Sequence, residues 1–95
     1  MSRGTRREQN QLRFRQANER LHDAVEERVA IDRAVPFLCE CADDACLGSV
    51  DVPLRTWEDV ALRPNHFLML AGHQRSEGEQ VVAHVGEYEV AEKPD

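Results

Sequence analysis

No run of apolar residues in this 95-residue chain approaches the ~18 that a membrane-spanning helix requires, so no such span is expected. Aromatic residues make up only 5% of the sequence. They are not interleaved with basic ones, which excludes a stacking platform for single-stranded nucleic acid. Motifs that cradle phosphates or activate nucleophiles are also missing: there is no G-x-x-x-x-G-K, G-x-G-x-x-G, G-x-S-x-G or H-E-x-x-H. Neither Ser49 nor Ser76 has an evident His/Asp partner, and the chain is read as non-enzymatic. No internal repeat and no Pro/Gly/Ser linker divides it, so residues 11–95 are expected to form one small α+β domain. There is no fourth cysteine. An odd count of three disfavours disulfide stapling and favours a reduced, cytoplasmic setting.

The charge that is present is uneven. Residues 1–35 hold eight Arg against six Asp and Glu (+2), and residues 36–95 hold four basic side chains against twelve acidic ones (−8). An acidic body repels phosphate, which makes nucleic acid an unlikely partner. The opening Met-Ser-Arg-Gly-Thr-Arg-Arg is basic, but Glu8, Gln9, Asn10 and Gln11 stand where a signal peptide would place its apolar segment, so export is not expected. Residues 1–10 are read as a flexible basic arm.

Residues 6–33 contain neither Gly nor Pro and read as one long helix, with Phe14, Ala17, Leu21, Ala24 and Val25 on one stripe. That stripe suits a helix lying across a sheet or a self-associating helix. Pro36 ends it. Phe37-Leu38-Cys39 and Gly48–Val52 then read as two strands of a hairpin with the cysteine loop 40–47 at its tip. Thr56 reads as the N-cap of a short helix carrying Trp57, Val60 and Ala61. His66–Ala71, apolar on both faces, reads as the central strand. Ser76 and Glu79 fit a capping box for a third helix through Val81, Val82 and Val85, closed by Gly86. Glu87–Ala91 alternates like an edge strand. The sum is a long helix, a sheet of about four strands and two further short helices.

The one constellation with chemistry is Cys39-Glu40-Cys41-Ala42-Asp43-Asp44-Ala45-Cys46, a C-x-C-x4-C cluster that holds every cysteine of the chain. Zinc takes soft thiolates in a tetrahedron, and a tight hairpin loop can turn three sulfurs to one point. Histidine is the usual fourth ligand. His66 and His73 lie about 23 Å apart if the strand between them is extended, so they cannot both serve one ion. His73, just past Gly72 at the strand end, is favoured over His66, His22 and His84; the last is read as a partner of the third helix's dipole. Glu40, Asp43 and Asp44 would raise the thiol pKa values, arguing against a nucleophilic cysteine, yet would attract a divalent cation. A Cys39/Cys41/Cys46/His73 site closes the coordination sphere and is structural in type. The competing readings are a buried core cysteine with two incidental thiols, an iron–sulfur cluster, and a thiol-based redox or metal sensor.

Phe37-Leu38-Cys39-Glu40-Cys41 with Cys46, then Phe67, Gly72-His73 and Tyr88-Glu89-Val90, resembles a group of short uncharacterised proteins from actinobacteria. The resemblance spans most of residues 11–93 and implies a bacterial cytosolic protein in which Cys39, Cys41, Cys46 and His73 act as a unit. It brings no activity. Ala42 departs from the Gly expected there. Action by binding follows, through another protein or self-association at the long helix.

Overall fold

The computed structural model describes residues 6–43 and 45–94. The chain is α+β: helix α1 (Arg6–Val25), strands β1 (Ala34–Leu38) and β2 (Ser49–Pro53), helix α2 (Leu54–Ala61), then β3 (His66–Leu70), β4 (Gln80–Val85) and β5 (Tyr88–Glu92). The strands form two antiparallel sheets, β1-β2 and β3-β5-β4, rather than one sheet of about four. No helix among the described residues is long and apolar enough to cross a membrane.

The first hairpin follows the expected period of two. Val35 and Phe37 of β1 and Val50 and Val52 of β2 are buried while their neighbours face out. The register sets Val35 opposite Val52 and Phe37 opposite Val50, so one apolar face is built from cross-strand pairs. Helix α2 buries Leu54, Trp57 and Val60, three and six residues apart, against that face, with Trp57 stacked on Phe37 at 5.2 Å between centroids. It starts at Leu54 behind Pro53 with no side-chain cap, two residues before the Thr56 cap suggested by the sequence.

Helix α1 is shorter than expected and docks by a different stripe. It ends at Val25, and turns carry the chain through residues 26–33 to β1. Its start at Arg6 falls inside the stretch read as an arm; residues 1–5 lie outside the described residues. Phe14, Ala17, Leu21 and Val25 are only partly buried and Ala24 is exposed, whereas Asn10, Gln11, Arg15 and Asn18 are buried. The buried positions 11, 15 and 18, continued by the largely buried His22, fall on one helical face. Gln11, Arg15 and Asn18 reach partners in distant parts of the chain. Gln11 donates to Glu79 (2.9 Å) and accepts from the Ser76 hydroxyl (2.5 Å). Arg15 donates to the His66 and Arg63 carbonyls. The Asn18 amide bonds both the N–H and the C=O of Leu38, at 2.8 and 2.9 Å, as a strand residue would.

The second sheet departs furthest from the sequence reading. The expected third helix is strand β4. Ser76 and Glu79 do bond reciprocally, Ser76 N–H to the Glu79 carboxylate (2.7 Å) and Glu79 N–H to the Ser76 carbonyl (3.2 Å). They close a turn through Gly78, at φ 84°, and no helix follows. Val81, Val82 and Val85 are β-branched and fit an extended chain. Gly86, at φ 57°, makes the two-residue β4–β5 turn instead of stopping a helix. Hence β5 is the central strand and β3 an outer one, the reverse of the expected order. β3 is nonetheless buried at Phe67, Leu68 and Met69, because the Cys39–Ala42 segment lies along its open side: Glu40 N–H donates to the Leu68 carbonyl at 2.7 Å. β4 is exposed along its whole length.

Candidate metal centre

The hairpin register puts Cys39 one residue past β1, where its N–H donates to the Gly48 carbonyl (3.1 Å). From there the chain runs beside β3. Alternation of an extended segment sends Cys39 and Cys41 to one side and Glu40 to the other. The loop returns with the Cys46 N–H on the Asp43 carbonyl (3.1 Å) and the Ala45 N–H on the Asp43 carboxylate (2.9 Å). His73 is presented by the turn after β3, anchored by its own N–H to the Leu70 carbonyl (3.2 Å). Gly72, at φ 81°, permits that turn.

These four residues come together. The sulfurs of Cys39, Cys41 and Cys46 and one ring nitrogen of His73 all lie within 4.8 Å of one another. His73 Nδ1 is 3.5 Å from Cys39 Sγ and 3.6 Å from Cys46 Sγ. Sulfur at ~2.3 Å and nitrogen at ~2.05 Å from a tetrahedral ion would stand about 3.6 Å apart. The imidazole nitrogen has one in-plane lone pair and can accept only one well-aligned thiol proton. Two sulfurs at equal distance from it therefore fit a shared cation better than a thiol hydrogen bond. Backbone amides support the sulfurs: Leu70 N–H points to Cys39 Sγ (3.2 Å) and Gly48 N–H to Cys46 Sγ (3.4 Å). Such bonds hold and tune metal-bound thiolates. A Cβ on Gly48 would sit 3.4 Å from Cys46 Sγ and 2.8 Å from Leu70 Cδ1, so the missing side chain lets the loop close.

Cys39 and Cys41 are buried, and Cys46 and His73 partly so. Burial pushes the Cys39 thiol far up, against the Leu70 amide, and the neighbouring sulfurs of Cys41 and Cys46 add to the rise. Burial likewise raises Cys41, opposed by the Asp43 backbone and reinforced by Cys46. Without a cation these two thiols stay protonated at neutral pH and are poor nucleophiles. A divalent ion reverses that balance by its own charge.

The sequence argument misplaced one carboxylate. Glu40 does not face the thiols; its side chain is fully buried on the opposite side. Its Oε2 accepts from Asn18 Nδ2 (2.8 Å) and Trp57 Nε1 (3.0 Å), and its Oε1 from the Leu68 N–H (2.9 Å). The Arg15 guanidinium lies 3.9 Å away. Burial pushes the Glu40 carboxyl up, and these donors, with Arg15, pull it back. Asp44 lies outside the described residues. Asp43 is spent on the loop turn.

The other histidines are engaged elsewhere. His66 Nε2 meets Glu92 at 2.9 Å. His84 is in β4, with Nε2 3.1 Å from the Gly86 carbonyl, and has no helix dipole to meet. His22 Nε2 lies 2.6 Å from Glu58 and 3.8 Å from Glu26, a second group whose ligand atoms converge. The i,i+4 pair His22/Glu26 was readable in the sequence, but Glu58 becomes its neighbour only through the packing of α2. Ala42, where Gly was expected, has no positive φ and donates its N–H to the Gln74 carbonyl (2.8 Å), so the turn does not need glycine there.

Comparison with protein-family models, with curated proteins and with solved structures finds no match for this chain.

Proposed function

We propose that this chain is a small non-enzymatic interaction module whose fold is stapled by a structural zinc ion on Cys39, Cys41, Cys46 and His73, acting in a reducing cytoplasm through contact with another protein. The observation that carries the reading is the convergence of three sulfurs and His73 Nδ1 within 4.8 Å. Three thiolates and an imidazole are zinc's habitual donor set, and four protein ligands leave no open position for a reacting water. The ion would tie the tip of the β1–β2 hairpin to the turn after β3, joining the two sheets. Structural zinc supplies roughly 10–16 kcal/mol in finger peptides at neutral pH, against about 5–14 kcal/mol of net stability for a chain of this length. Its removal should therefore unfold the domain.

Elemental analysis of protein purified without chelator tests this directly. One zinc per chain is expected, lost in His73→Ala but retained in His66→Ala. A metal-free chain that is fully folded, with a thermal midpoint unmoved by added zinc, would refute it. The exposure of the loop favours one second reading, a thiol-based redox sensor. Cys46 is partly exposed beside Leu47, which is 97% exposed, whereas the other two sulfurs are shielded. A peroxide would enter at Cys46; its reduction by the Cys41 and Cys46 thiolates, with two protons from solvent, would give a disulfide, two waters and a released ion. Peroxide-driven zinc release that changes neither fold nor oligomeric state would count against this.

A further inference from the structure

We propose that the groove between α1 and α2 is the docking site for a basic amphipathic segment of a partner protein, one carrying Lys or Arg side chains along an apolar strip. The inference deepens the interaction-module reading and rests on it. An open cleft of about 560 Å³ lies between the helices, floored by Trp57 and Ala61. A narrower recess of about 200 Å³, walled by Arg15 and Leu12, shares Glu19 and Ala61 with it. The two hollows therefore adjoin, and together they border α1 from Leu12 to Asp23, roughly 16 Å at 1.5 Å per residue. That length suits about three turns of a helix or five residues of extended chain, more than a small cation needs.

The chemistry of the walls selects the occupant. Glu19, Asp23 and Glu58 line the wide end, with Glu26 close behind, against the single imidazole of His22. Phosphate is repelled there and cations are drawn in. Apolar side chains are left uncovered at the lips: Leu62 is 80% exposed and Leu12 is 45% exposed. Lys and Arg satisfy both demands, since their stems cover apolar surface while their heads reach carboxylates.

The test uses the full chain with its measured metal content and two synthetic 14-residue amphipathic peptides, one of Leu and Lys and one of Leu and Glu. Trp57, the only tryptophan, reports from the groove floor by fluorescence. The Leu/Lys peptide is expected to bind and the Leu/Glu peptide not to. Glu19→Lys/Asp23→Lys should weaken binding about tenfold or more, and Leu62→Lys on the lip should weaken it similarly. Glu77→Lys/Glu87→Lys makes the same change in net charge at exposed positions away from the groove, and should weaken binding by less than about threefold. Equal losses in the two double variants would mean unspecific attraction and would overturn the proposal, as would no binding at millimolar peptide or equal binding of the acidic peptide. All these positions are exposed, and thermal melts confirm that each variant folds. Absence of bound zinc would sink the metal reading while leaving the peptide result standing, so the two failures are distinguishable.

Discussion

Removing the Glu40 side chain should be among the most damaging single changes in the protein. The carboxylate is fully buried and accepts three hydrogen bonds, from Asn18, Trp57 and Leu68, with the Arg15 guanidinium 3.9 Å away. Glu40→Ala leaves three buried donors without an acceptor, at roughly 1–3 kcal/mol each where no water can enter. It also strands a buried guanidinium, and losing one member of a buried ion pair costs about 3–5 kcal/mol. These costs overlap, because the same site relaxes once, so a total of about 4–6 kcal/mol is expected. That is a large part of the 5–14 kcal/mol typical of this length.

Glu40→Gln refines the test. One oxygen can still serve Asn18 and Trp57, but the amide NH2 then faces the Leu68 N–H, donor against donor, and the charge opposite Arg15 is gone. A cost of about 2–4 kcal/mol follows. Urea unfolding of the zinc-loaded protein, followed by Trp57 fluorescence, reads both variants, with unchanged slopes showing that stability and not compactness has shifted. Zinc stoichiometry should stay at one per chain in any molecule that folds, because Glu40 points away from the sulfurs. A cost below about 1 kcal/mol for Glu40→Ala would refute the claim that this carboxylate organises the interior. Loss of zinc from folded Glu40→Gln would refute its assignment to the far side of the strand.

Two further outcomes are expected. Gly48→Ala should cost roughly 1–2 kcal/mol and lower the melting temperature by about 4–16 °C, because the new methyl meets Leu70 Cδ1 at 2.8 Å and crowds Cys46 Sγ at 3.4 Å; an unchanged melting curve would contradict this packing. For His22, burial lowers the pKa, but the bonds to Glu58 and Asp23 and the nearby charges of Glu26 and Glu58 outweigh it, and the net shift is upward from 6.5. A raised folded-state pKa means that His22 stabilises fully below pH 6.5 and loses that contribution as pH climbs through the raised value. The stability difference between wild type and His22→Gln should therefore shrink from pH 6 towards pH 8, measured as a difference so that titration of the metal ligands cancels. A gap that widens with pH would reverse the sign and disprove the pairing.

The parts of the fold that the sequence made legible are those in which side-chain chemistry and local period agree. Val35, Phe37, Val50 and Val52 alternate in both sequence and burial, and the C-x-C-x4-C loop sits at the hairpin tip as its spacing implied. Strand length showed only that His66 and His73 cannot share an ion, and the backbone freedom at Gly72 was the reason for favouring His73. Helix α1 misled because an apolar stripe is the usual guide to a buried face, and here the buried face is Gln11, Arg15 and Asn18. Those residues become core only because Glu79, Leu38 and Glu40 supply partners from distant parts of the chain, which no local pattern encodes. The Ser76/Glu79 pair misled for a different reason. The Glu79 carboxylate takes the Ser76 N–H as in a capping box, but the Glu79 N–H bonds the Ser76 carbonyl rather than its hydroxyl, and the following Val-Val sequence favours extension.

The tripeptide Cys39-Glu40-Cys41 explains why the cysteine loop and the polar interior occur together. Adjacent side chains of an extended segment face opposite ways, so a single intervening residue is the shortest spacer that puts two sulfurs on one side. The intervening side chain must then enter the core. An apolar residue would pack there, but it could not hold Asn18 of α1, Trp57 of α2 and the backbone of β3 at once. A carboxylate has the lone pairs to do so, and Arg15 offsets its charge. The segment is thus held on one side by four donor-bearing groups, and on the other it presents the sulfurs where the proposed cation would bind. The domain's small apolar core does not have to align its two helices unaided. A hydrophobic residue at position 40 should accordingly leave the four metal ligands in place while loosening α1 against α2, seen as faster amide exchange in residues 10–22 than in β1 and β2. Uniformly faster exchange across all three elements would show instead that the two faces of the strand melt as one.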